Sequence, residues 1–250
     1  MNDIKTINDL LNLKLAPLDI TKEFKEQIKN KFGLNVFLTR CKNDVVIEYY
    51  NPDDYEEIDT DIYGVYLHYK GKTRSSKIVL PYNCRSMIRM FDHVNKKVID
   101  LSDNDLSQVV NIREAFRMSS AEKVIFGKQD MSNLEIATGA FMWCSKLKYT
   151  DIGLCHMSNL RVINGMFYSN KSLVDIDLSA WIELDLMGSL SMFVDCKNLK
   201  RVILGNLLRG GITGEKLDEL IKDCPCLKSD VIYPESQSSK IEMKKVSAFG

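Results

Sequence analysis

The sequence carries no net charge, since Lys and Arg total 34 and Asp and Glu also total 34. A dedicated nucleic-acid binder draws affinity from excess positive charge, so that class is disfavoured, and an acidic nucleic-acid mimic equally so. No run reaches the roughly 18–20 apolar residues of a membrane helix. The opening residues MNDIKTINDLLNLKLAPL lack the unbroken apolar core of a secretory signal. These absences predict a cytoplasmic chain with no membrane contact. The seven cysteines (Cys41, Cys84, Cys144, Cys155, Cys196, Cys224 and Cys226) are odd in number and include no CxxC pair. They are expected to be buried, reduced thiols. GxGxxG, HExxH, GxSxG and the phosphate-loop pattern GxxxxGK are all missing. No catalytic residue, cofactor or metal is expected.

What is present is self-similarity, which must be sought before elements are assigned. MSNLEIATGAFMWCSKL (residues 131–147) is echoed by MSNLRVINGMFYSNKSL (157–173), 26 residues later. Phe91, Phe116, Phe141, Phe167 and Phe193 mark the series, at spacings of 25, 25, 26 and 26. A leucine follows six residues on at Leu147, Leu173 and Leu199, and Leu227 continues that series. Cys144, Cys196 and Cys224 share one phase, with Asn170 in the same place in the middle copy. After each leucine comes a short extended segment, as in LVDIDL or LKRVIL, then a polar turn and an apolar ladder leading to the phenylalanine. One such unit cannot bury its own apolar side, so neighbouring units are predicted to stack, with the five phenylalanines as a structural ladder.

Residues 1–75 do not repeat. INDLLNLKLAPL and DITKEFKEQIKNKFGL read as helices, the second with Thr21 as N-cap and Gly33 at its stop. NVFLTRCKNDVVIEYY reads as a hairpin turning near Lys42-Asn43-Asp44, NPDDYEEIDTD as an acidic loop, and IYGVYLHYKGK as a strand. KLDELIKDCPCL has helical spacing, and PESQSSKIEMKKVSAFG reads as a polar tail.

The repeat resembles the leucine-rich repeats of the BspA-like family, whose unit reads LxxLDLSxWDTSNVTxMxxMFxxCxxL. The best match is LVDIDLSAWIELDLMGSLSMFVDCKNL, residues 173–199, with DLS, Trp181, MF and Cys196 placed as in the pattern. Lys97 and Glu122 stand at closing-leucine places, and Ser189 interrupts the ladder. The resemblance implies an α+β chain: a small N-terminal α+β cap over 1–75, a leucine-rich-repeat solenoid of about five repeats over 76–233, and a polar C-terminal tail over 234–250. It implies contact with other macromolecules and no catalytic residues.

Each candidate for chemistry has a plainer reading. Adjacent residues of an extended segment face opposite ways, so Cys155 and His156 do not form a pair. His68 and His93 lack partners at metal-ligand spacing. RGGITGEK (209–216) reads as a turn extension. Trp143, Tyr149, Tyr168 and Arg117 lie just after a phenylalanine marker or near a strand start. They are the candidate partner-binding residues, because aromatics and arginine anchor protein interfaces; the alternative is that each packs between neighbouring repeats. The expected function is a non-catalytic protein–protein interaction module, acting as an inhibitor or adaptor, with a phage or mobile element as a source that suits the role. Nucleic-acid binding through basic residues in 70–89 and 240–245 is one alternative, and an enzyme hidden in the N-terminal module another. A homo-oligomer is compatible with every one of these.

Overall fold

Around Phe91, Phe116 and Phe141, every second backbone N–H leaves its own segment and bonds to the next one. Met87, Arg89, Phe91 and His93 donate to the carbonyls of Asn111, Arg113, Ala115 and Arg117 at 2.7–3.1 Å. Ile112, Glu114, Phe116 and Met118 donate in turn to Ile136, Thr138, Ala140 and Met142. The intervening residues bond back three places, as Met90 does to Met87 and Val94 to Phe91. This alternation requires a left-handed backbone two residues before and two after each phenylalanine. Arg89 and His93, Glu114 and Met118, Gly139 and Trp143, Gly165 and Ser169, and Ser191 and Asp195 all have φ between 48° and 61°. The spacing of hydrogen-bonded strands, about 4.8 Å, then sets the spacing of the side chains.

The phenylalanine rings follow that spacing. In this computed structural model, which describes residues 4–41, 44–62, 64–182, 184–187, 191–204, 218, 220, 223–227, 230–234 and 243–246, successive rings from Phe91 to Phe193 lie 5.2, 5.0, 5.1 and 5.5 Å apart, within 9° of parallel. All five are fully buried. Each stacked pair contributes about 0.5–1.5 kcal/mol beyond its buried area. The phenylalanine carbonyls are closed from the following repeat. Cys144, Cys196 and Cys224 donate Sγ–H to Phe116, Phe167 and Phe193 at 2.8, 3.0 and 2.9 Å, and Asn170 donates Nδ2–H to Phe141 at 3.0 Å. Burial pushes these three thiols up to about 12.

Strand pairing corrects the expected α+β leucine-rich-repeat solenoid with its continuous ladder. The chain has few helices, and its described strands divide into small separate sheets. β1 (Asn35–Cys41) and β2 (Asp44–Tyr50) form one antiparallel pair; β3 (Tyr55–Thr60) and β4 (Gly64–Tyr69) form another. β5 (Val98–Asp100), β6 (Lys123–Ile125) and β7 (Tyr149–Thr150) make a parallel sheet of two- and three-residue strands. β8 (Asp175–Asp177), β9 (Arg201–Ile203), β10 (Asp230–Pro234) and β11 (Met243–Val246) make a fourth sheet. The ladder stops between β7 and β8. A 3-10 turn, Ile152–Leu154, follows β7 directly, and Gly153 presses on the Asp177 carbonyl so closely that a Cβ there would sit 1.9 Å from its oxygen. The repeat therefore persists in the side-chain column and turn hydrogen bonds, not in one sheet.

The N-terminal segment differs from expectation in two places, and the C-terminal tail in one. Helix α1 is only Ile7–Leu11, started by a Thr6–Asp9 capping box, and a 3-10 turn at Pro17–Asp19 replaces its expected continuation. Helix α2 (Lys22–Phe32) does start at Thr21 and end at a left-handed Gly33. The expected acidic loop contains strand β3, because buried Tyr55 and the pairing with β4 outweigh its charges. Residues 243–246 of the expected polar tail form β11, paired with β10. Residues 209–216 and Ser189 lie outside the described residues. Ile4, Leu10, Phe24, Ile28, Leu34, Val36 and Tyr49 form a small core of their own, whereas Phe37, Tyr50, Tyr55, Leu67 and Tyr69 join the main core. Tyr69 stands 5.5 Å from Phe91, and Tyr55 5.5 Å from Tyr69, so tyrosines extend the column at its start.

Phe141→Ala, at the middle of the column, is expected to cost about 3–5 kcal/mol in urea unfolding. Asn170 is fully buried and its Oδ1 has no partner. Asn170→Cys, which installs the thiol used by the other repeats, is expected to raise stability by about 1–2 kcal/mol in the same measurement.

Candidate binding ridge

The turns place charge and aromatic rings side by side along one line. Asp92 and Glu114 follow or precede their phenylalanines closely enough to be buried beside the column. Asp92 accepts two hydrogen bonds from Arg117, at 3.2 and 3.1 Å, and a further one from Arg89, and the His93 Nδ1 lies 2.8 Å from its Oδ1. Glu114 lies 3.4 Å from Arg117 and 3.8 Å from both Arg89 and Arg113. Three guanidinium groups thus surround two carboxylates, leaving one positive charge in excess. A bidentate arginine–carboxylate pair of this kind fixes side-chain geometry as well as charge.

Aromatic rings close the line at both ends. Arg89 lies over the Tyr66 ring at 5.8 Å, and Arg117 over the Trp143 ring at 6.0 Å. Trp143 meets half-buried Tyr168 edge to face, with centroids 6.3 Å apart. Trp143 itself is 43% exposed. The structure brings Arg117, Trp143 and Tyr168 together and leaves Tyr149 apart. Tyr149 is 46% exposed on β7, opposite Lys123, with no ring contact to the others among the described residues. Phe91, Phe116, Phe141, Phe167 and Phe193 lie in the interior behind this line.

Tyr66, Asp92 and Glu114 are not singled out by the sequence, which counts Arg89 only among the basic residues of a nucleic-acid surface and His93 only as a metal ligand without partners. The only signal was that charged side chains recur two places before or one place after the phenylalanine, a pattern that also describes a solvated face. Trp143 has a left-handed backbone, but its counterparts in other repeats do too. That conformation belongs to the turn and says nothing about binding.

The other candidates for chemistry are inert by position. Cys155 is buried and its thiol is pushed up to about 12 by desolvation, while adjacent His156 is exposed. Trp181 is fully buried and donates Nε1–H to the Ile152 carbonyl at 3.3 Å. No group of three metal-ligating side chains occurs among the described residues. No helix among them is long and apolar enough to cross a membrane.

One buried acid does stand out. Glu48 on β2 is 1% exposed, and its Oε1 accepts the Arg85 N–H at 3.1 Å. Desolvation raises it from 4.5 to about 7, against the pull of the Arg85 and Ser86 N–H groups, Thr39 and the Arg85 charge. A carboxyl raised in the folded state adds stability that is complete below its unfolded value and lost as pH rises through the folded one. Unfolding free energy is therefore expected to fall by up to about 3 kcal/mol between pH 4.5 and 8 on account of this group. Denaturant titrations at several pH values should show that slope in the wild type and not in Glu48→Gln.

A family model described as "Mycoplasma protein of unknown function, DUF285" matches residues 85–205, just under half of the chain. No curated protein and no solved structure matches. The matched region holds the whole phenylalanine column and most of the ridge.

Proposed function

We propose that the chain is a non-catalytic protein-binding module whose contact surface is the ridge from Arg89 through Arg117 and Trp143 to Tyr168. The observation that carries this reading is Trp143, a large ring left 43% exposed while Arg117 and Tyr168 hold it from two sides. Tryptophan, tyrosine and arginine, held rigidly and clustered, are the side chains that dominate interface energies. The extra positive charge of the cluster suits a partner with an acidic patch around an apolar centre. The resemblance of the repeats to BspA-like sequences, beside the match to DUF285, adds support for a bacterial interaction protein. An inhibitor or adaptor role in the cytoplasm follows as the finer reading: a chain with inert buried thiols and no grouped metal ligands among its described residues acts by covering its partner.

The nucleic-acid alternative loses support from its own residues. Lys77 is paired with Asp100 and Asp103, and Arg89 with Asp92, so two of the six basic residues in 70–89 are neutralised internally. Lys240 and the side chains of Lys244 and Lys245 lie outside the described residues.

Trp143→Gly removes the ring and also relieves a left-handed backbone, so its folding free energy is expected to stay within about 1 kcal/mol of wild type. Affinity capture from the native host is expected to recover a protein at stoichiometric yield with the wild type and at least about tenfold less with Trp143→Gly. Recovery of nothing by the wild type, or equal recovery by the variant, would reject the ridge.

A further inference from the structure

In the second, third and fourth repeats, four carbonyls receive N–H groups from the repeat before: those of Asn111, Arg113, Ala115 and Arg117 in the second. The first repeat has no predecessor, and its equivalent carbonyls are Ser86, Ile88, Met90 and Asp92. Strand β4 serves the last two, through Tyr69 N–H to Met90 at 2.8 Å and the His68 ring Nε2 to Asp92 at 2.9 Å. The next donors back along β4 are Leu67 and Val65, and neither reaches its carbonyl. Ser86 takes only the Cys84 thiol, at 3.7 Å, and Ile88 takes nothing from the described residues. A cleft of about 330 Å³ opens where β4 peels away, lined by residues 37–40 of β1, residues 64–67 of β4, and Ser86 and Ile88.

Both strands present edges to this cleft, since runs of four consecutive residues line it. In an antiparallel pair, residues alternate between facing the partner and facing away. Tyr69 bonds away from β3, so Leu67 and Val65, at even steps from it, also turn their backbone groups outward. Tyr49 exchanges bonds with Tyr82, away from β1; its partner Val36 and, at even steps, Leu38 and Arg40 likewise face outward. None of the backbone N–H groups of Leu38, Arg40, Val65 and Leu67 has a partner among the described residues. Arg40 is the one charged residue of the lining, exposed, with no ion pair among the described residues.

We propose that this cleft binds an extended peptide segment of another protein. The segment gives N–H groups to Ser86 and Ile88, pairs with the free edge of β4 at Val65 and Leu67, and sets an acidic side chain against Arg40. It occupies the position of the missing preceding strand, over about four residues or 13 Å. Edge pairing of this kind draws affinity from the main chain and selectivity from side chains at alternate places. The site meets the ridge only at Tyr66, whose ring lies under Arg89, and does not depend on Trp143.

The test uses a phage-displayed library of random peptides of about twelve residues, selected on the full chain, with the most enriched peptide labelled for anisotropy titration. Enriched sequences are expected to share an acidic residue among alternating apolar ones. Val65→Pro removes an edge N–H at a residue 48% exposed, and Arg40→Glu reverses the cleft's charge. Each is expected to weaken binding by about tenfold or more with little change in thermal midpoint, while Trp143→Gly binds as wild type. Failure of the library to enrich, or equal binding by Val65→Pro, would overturn the proposal. So would wild-type self-association in sedimentation that Val65→Pro abolishes, since the occupant would then be a second copy of this chain.

Discussion

The alternating backbone hydrogen bond governs this molecule. At every second residue around a phenylalanine the N–H crosses to the next segment, and between them it folds back three places. That rule spaces the rings near 5 Å, demands two left-handed residues per turn, and leaves the carbonyls of Phe116, Phe141, Phe167 and Phe193 to be met by a thiol or amide from the following repeat. Stacking and burial add stability to a geometry that the main chain has already set. The charged ridge depends on it as well. Asp92 and Arg117 lie in successive turns, and only the fixed rise between those turns brings a buried carboxylate within 3.2 Å of a guanidinium 25 residues away.

The same rule explains why the start of the array is unusual. A ladder in which each level supplies donors to the next has a first level whose acceptors need another source. β4 meets that need for Met90 and Asp92 and fails for Ser86 and Ile88. Glu48 reaches the same seam from the neighbouring hairpin, where desolvation raises its carboxyl to about 7.

Much of this order was readable from the phenylalanine spacing, because a buried column tolerates no other residue at that place and little change of phase. The shared phase of Cys144, Asn170, Cys196 and Cys224 was visible too, but not that these side chains donate to carbonyls. The broken ladder was hidden, since Gly153 looks like any turn glycine until Asp177 is seen against it. A continuous solenoid was inferred from repeats whose strands are too short, and too interrupted, to make one sheet. On the ridge, Trp143, Tyr168 and Arg117 drew notice by residue type. Asp92 and Glu114 did not, because a carboxylate's burial depends on arginines in other turns. The separation of Tyr149 was also invisible, as aromatic type carries no information about which side of a turn it occupies.

The left-handed turn positions restrict what sequence can do. Ten residues flank the five phenylalanines at two places on either side: Arg, His, Glu, Met, Gly, Trp, Gly, Ser, Ser and Asp in chain order. Charge, size and polarity vary freely among them, yet none is valine, isoleucine or threonine, the side chains whose branch at Cβ clashes most with such a backbone. Anyone diversifying this framework to recognise a new target has eight such sites to vary, Glu114 and Ser169 being buried, with a palette limited by shape at the second carbon and by little else.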